Sequence, residues 1–88
     1  MKEIILEELK KSLIRLNYYD KKIELNLTVP NNRDFGNLST NISFLLSKKL
    51  KSNPVKIANN IKDDLGKLTI FKKIMIVNPG FINFYINP

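Results

Sequence analysis

Apolar residues at Ile5, Leu9, Leu13 and Leu16, joined by Leu6 and Ile14, recur at spacings of three and four along residues 2–16. Glu3, Glu7 and Glu8 lie near the start of this stretch and Lys10, Lys11 and Arg15 near its end, as a helix dipole favours. The pattern predicts an amphipathic helix. From Ile23 to Val29 the period changes to two. Ile23, Leu25, Leu27 and Val29 alternate with Glu24, Asn26 and Thr28 until Pro30 ends the run, which predicts a half-buried strand. Residues 31–37, NNRDFGN, read as loop. Ile42, Leu45, Leu46 and Leu50 then return to helical spacing, with Asn37 or Ser39 as the expected cap and an end near Lys51.

Ser52-Asn53-Pro54 marks a restart: Asn53 is suited to cap a third helix and Pro54 to its first position, where a missing N–H costs nothing. Ile57, Ala58, Ile61 and Leu65 form the inner stripe of that helix, and Gly66 is placed to close it. From Phe71 the chain turns β-rich. KKIMIV and FINFYI, separated by Asn78-Pro79-Gly80, predict a hairpin. The order helix, strand, helix, helix, strand, strand predicts an α+β domain, with a small, mainly antiparallel sheet covered by about three helices on one face.

Three helices leave the other face of such a sheet open. Strand parity puts Ile82, Phe84 and Ile86 under the helices and turns Phe81, Asn83 and Tyr85 outward. Exposed rings on a sheet are surfaces on which unstacked bases are held, and an amide between them can both donate to and accept from a base edge. The same rings could instead pack against lysine stems or against a further domain.

Composition narrows the choice. At 88 residues the chain has material for one core, so 1–88 is a single domain. An apolar share of 43% and a charged share of 26% are ordinary for a folded globular domain. No apolar run approaches the roughly 20 residues that cross a bilayer, and MKEIILEELKK lacks the apolar stretch of a signal peptide, so no membrane partner is expected and the expected compartment is the cytosol. The absence of cysteine and histidine excludes disulfides, thiolate zinc sites and histidine-based catalysis. A net charge of +7, with lysines clustered at 10–11, 21–22, 48–51 and 72–73, suits a polyanionic partner, although lysine is also a common solvating residue.

Several local motifs have simpler meanings. Asp63-Asp64 is not a catalytic carboxylate pair, because adjacent helical positions diverge by about 100°, and no catalytic residue is assigned. Asp34-Phe35-Gly36 spells a kinase tripeptide without any other kinase motif. In its own context Gly36 permits a close approach, and Asn37, Ser39 and Thr40 offer oxygens to a helix start, for capping or for contact with a phosphate. Lys48, Lys49 and Lys51 suit a helix end and are candidate phosphate contacts.

The strings Phe35-Gly36-Asn37-Leu38-Ser39-Thr40-Asn41, Asn53-Pro54 and Pro79-Gly80-Phe81-Ile82-Asn83-Phe84, in this order and spacing, resemble the N-terminal domain of arginyl-tRNA synthetase. That family usually has Gly-Asp in the first string, where this chain has Gly36-Asn37. The resemblance implies a non-catalytic tRNA-recognition module that docks at the elbow of tRNA(Arg) and contacts its D-loop. In the family an aromatic residue, and an asparagine two positions on, meet an unstacked D-loop nucleotide, and the matching positions are Phe81 and Asn83. Some members have tyrosine at the first position. Phe81 keeps the ring for stacking and lacks the hydroxyl. Tyr85 is added to the RNA-binding set by strand parity alone.

The chain has no HIGH-type or KMSKS-type signature. The resemblance therefore assigns ATP, with magnesium, and arginine activation to a catalytic domain of the same parent chain, which would be a partner of this one. A segment ending at Ile86-Asn87-Pro88, just after a strand, is expected to be excised from such a parent. Two other readings stay open at this level: a freestanding single-strand nucleic-acid binder, and a protein interaction domain using the aromatic sheet face.

Overall fold

The computed structural model describes every residue from Met1 to Pro88. The first stripe forms α1 (Lys2–Arg15). It stops because Asn17 takes the left-handed conformation at φ 62°. The Tyr18 N–H then reaches the Leu13 carbonyl at 2.8 Å and the Asn17 N–H reaches that of Ile14 at 3.1 Å, the paired bonds of a Schellman end. Helices α2 (Ile42–Leu50) and α3 (Pro54–Leu65) follow, separated by Lys51 at φ 52° and the Asn53 cap. Asn53 Oδ1 accepts from the N–H groups of Val55 at 2.8 Å and Lys56 at 3.3 Å.

Strands β2 (Phe71–Val77) and β3 (Phe81–Ile86) form the expected hairpin. A third strand, β1 (Leu38–Thr40), pairs with the other side of β3, giving an antiparallel sheet in the order β1-β3-β2. A bulge between Phe71 and Lys73 inserts Lys72, so that Phe71 and Ile74 both face the core although three positions apart. The fold is α+β, with the three helices on one face of the sheet. Ile5, Leu9 and Leu13 of α1, Ile42 and Leu46 of α2, and Ile57, Ala58, Ile61 and Leu65 of α3 pack over Leu38, Ile74, Ile82 and Phe84. Phe84 is fully buried, with its ring centroid 5.2 Å from that of Phe71.

Two expectations are corrected. Residues 23–29 do not form a strand but an extended segment with one antiparallel bridge, Thr28 to Ser39. Ser39 is the one residue of the short β1 whose N–H and C=O turn away from β3, bonding Thr28 at 2.8 and 2.9 Å, so only one bridge can form. The apolar alternation still marks the inner side, with Leu27 buried, but Val29 is 72% exposed. The second correction is the start of α2, which lies at Ile42 rather than at Asn37 or Ser39. Of Gly36, Asn37, Ser39 and Thr40, only Thr40 serves that helix, its hydroxyl accepting from the Ile42 N–H at 3.2 Å. The others face β3: Asn37 Oδ1 accepts from the Ile86 N–H at 2.8 Å, and Ser39 and Gly36 lie against Asn83 and Phe84.

Candidate nucleic-acid interface

The register of the sheet determines what its uncovered face displays. Lys73, Met75 and Val77 of β2 lie opposite Tyr85, Asn83 and Phe81 of β3, and Ser39 lies opposite Asn83 on β1. Phe81, Asn83 and Tyr85 therefore share the side away from the core, but their surroundings differ.

Phe81 is 40% exposed and is braced by Phe44 of α2 in an edge-to-face contact with centroids 5.4 Å apart. Asn83 lies between two strands and is only 6% exposed. The Ser39 hydroxyl donates to its Oδ1 at 2.8 Å, which occupies one acceptor position of the amide and leaves its NH₂ without a protein partner. Tyr85 is committed elsewhere. Its hydroxyl donates to the Asp34 carbonyl at 2.5 Å, and Lys73 Nζ sits 4.5 Å above its ring.

Two grooves meet at Phe81. One, of about 250 Å³, is lined by Thr28, Pro30, Phe35, Ser39, Val77, Phe81 and Asn83. The other, of about 410 Å³, is more polar, with Lys2, Asn26, Thr40 and Asn41 beside Phe81. Phe81 and Asn83 thus share one groove, whereas Tyr85, Lys48, Lys49 and Lys51 line neither. Lys48, Lys49 and Lys51 stand at the far end of α2, where Lys49 pairs with Asp20. Phe35, Val77 and Lys2 are groove residues that sequence reasoning missed. Val77 could have been found from the hairpin, since it pairs directly with Phe81. Phe35 carries no periodic signal, because it sits in the short 3₁₀ turn Arg33–Phe35.

No group of three or more Asp or Glu side chains converges as a metal site would require, and no helix is long and apolar enough to cross a membrane. The arrangement can offer a flat apolar contact and an amide donor in an uncharged groove, on a chain of net charge +7.

These features define a small α+β domain with an aromatic and an amide side chain sharing a groove on its open sheet face. The chain belongs to the arginyl-tRNA synthetase N-terminal domain family, whose description, "Arginyl tRNA synthetase N terminal domain", matches residues 1–86. It is 44% identical over 69 residues to an arginine–tRNA ligase of Thermotoga petrophila, a match covering 78% of this chain and 13% of that protein. With an arginine–tRNA ligase of Methanosphaera stadtmanae the identity is 42% over 89 residues, covering 99% of this chain and 15% of the relative. The chain thus spans a small fraction of the length of the relatives it matches. Solved arginyl-tRNA synthetases of Thermus thermophilus and Plasmodium falciparum share the fold, with TM-scores of 0.80 and 0.84 at 21% and 22% identity. Those matches cover 99% and 98% of this chain, and 14% and 16% of the two structures.

Proposed function

We propose that this chain is the tRNA-binding module of a cytosolic arginine–tRNA ligase and that it contacts the D-loop side of the elbow of tRNA(Arg). Family membership supports the parentage. The observation that carries the site is the pairing of an exposed, braced Phe81 with an Asn83 whose amide oxygen is already held. In this reading Phe81 stacks on an unstacked D-loop base, and the Asn83 NH₂ donates to an acceptor on its edge. Lys2 lines the groove beside Phe81, Lys73 stands over Tyr85 on the same sheet face, and Lys48 and Lys51 add positive charge at the end of α2. ATP, magnesium and arginine activation belong to the catalytic part of the parent ligase, against which the module docks.

The test is an NMR titration of the 88-residue chain with a folded tRNA(Arg) transcript, which reads dissociation constants even for weak complexes. Stacking is worth about 1–3 kcal/mol per base, so Phe81→Ala is expected to weaken binding roughly 5- to 150-fold. Asn83→Ala should act in the same direction. In the ligase, both variants are expected to raise KM for tRNA and leave arginine activation unchanged. Unaltered binding in both variants would reject the role. Affinity should also fall with salt, with a log–log slope near −0.7 to −0.9 per phosphate contact. Salt-insensitive binding would point to a protein partner instead, and equal affinity for an unstructured oligonucleotide to a general single-strand binder.

A further inference from the structure

The groove beside Phe81 has a second aromatic residue that strand parity does not reveal. Phe35 is 52% exposed and has no aromatic partner in the fold, yet the backbone that carries it is tied down on both sides. On one side, Asn32 Oδ1 accepts from the Asp34 N–H at 2.9 Å and the Asn32 carbonyl from the Phe35 N–H at 3.0 Å. On the other, the Asn37 N–H donates to the Phe84 carbonyl at 2.8 Å, and Asn37 Oδ1 accepts from Ile86. The Tyr85 hydroxyl completes the restraint by donating to the Asp34 carbonyl, immediately before Phe35.

A large ring left in water on a restrained backbone adds little to the core. It does add a pre-positioned apolar surface to a groove whose other members, Thr28, Pro30, Ser39, Val77, Phe81 and Asn83, are all uncharged. A flat, uncharged heterocycle with hydrogen-bonding edges fits that lining, while the net charge of +7 attracts the phosphates attached to it. Resting on the reading that Phe81 and Asn83 hold an unstacked tRNA base, we propose that Phe35 is the second wall of that base site. Tyr85 is then a positioning residue: its hydroxyl holds the Phe35 wall in place through the Asp34 carbonyl rather than touching RNA.

The same titration of the 88-residue chain with a folded tRNA(Arg) transcript tests this, with Phe35→Ala, Phe35→Leu, Phe35→Trp, Tyr85→Phe and the double variant Phe35→Ala/Tyr85→Phe. Phe35 is exposed, so these changes leave the core intact, and a thermal melt checks it. Loss of a stacking wall should weaken binding roughly fivefold or more for both the Ala and Leu variants, while Trp, which keeps a flat ring, retains it. Tyr85→Phe should weaken binding when Phe35 is present and add nothing once Phe35 is Ala. If Phe35→Ala binds like the parent while Phe81→Ala is impaired, the wall is rejected and the base site stands. If Phe81→Ala is also without effect, the underlying reading fails. Full binding by Phe35→Leu overturns stacking in favour of a generic apolar contact. An equal Tyr85→Phe penalty in both backgrounds would reject its positioning role.

Discussion

Gly36 shows how a single residue couples the loop to the sheet. Its backbone sits at φ 97°, ψ −175°, a region nearly closed to residues with a side chain, and a Cβ there would lie 2.8 Å from the Phe84 carbonyl oxygen. Gly36→Ala is therefore expected to destabilise the fold by about 1–3 kcal/mol from the backbone conformation, with the contact adding to it. Urea denaturation of the two chains checks this. The need for glycine was legible in the sequence; what it approaches was not. A close approach into a following helix was expected, and the neighbour is instead a carbonyl of β3, nearly 50 residues later in the chain. Asn83 teaches the same lesson. Parity gave its side of the sheet, but its low exposure follows from lying between β1 and β2 with Ser39 bonded to its oxygen.

At the scale of elements, those read correctly carry their own instructions. α3 has its cap, first-position proline and inner stripe within one short stretch of sequence, and these act as local chemistry dictates, whereas Gly66 stands at the helix end with right-handed φ −62°, so its left-handed freedom is not what closes the helix. Asn53→Ala should cost about 1 kcal/mol by leaving the Val55 and Lys56 N–H groups to water, measurable as a lower urea midpoint at an unchanged slope. β1 is not legible in the sequence because three residues of Leu-Ser-Thr carry almost no periodic signal, and the strand exists only because β3 offers an edge 44 residues away. Conversely, residues 23–29 have the period of a strand without a partner edge long enough to make them one. Periodicity determines which side is buried; hydrogen bonding needs a neighbour.

At the scale of the whole molecule, α1 and α3 are tied by Arg15, which bonds the Asp64 carboxylate at 2.8 Å through Nη2 and 3.1 Å through Nε. These bonds hold the Asp64 carboxyl below the usual carboxylate range, against the opposing effect of its partial burial. Because Asp64 titrates lower in the fold than in the unfolded chain, its contribution is complete above the unfolded value of about 4. It is lost as pH falls through the depressed folded value. Asp64→Asn should therefore be less stable than the parent at neutral pH, and the gap should narrow in acid. Denaturant midpoints measured across that range test it, and a gap independent of pH would show that the carboxylate's charge is not what matters. The pair lies in the helical layer, so tRNA affinity should not follow this change.

The sequence by itself determined α1, α3 and the buried stripe of α2, the hairpin, the face of β3 turned from the core and the family to which the chain belongs, because each rests on local period, local capping or ordered short motifs. Only the tertiary structure decided that Leu38–Thr40 is a strand, that Tyr85 holds a loop and that Phe35 stands beside Phe81 and Asn83. Those outcomes depend on register between segments distant in the chain, and no local pattern encodes which distant backbone will supply the matching hydrogen bonds.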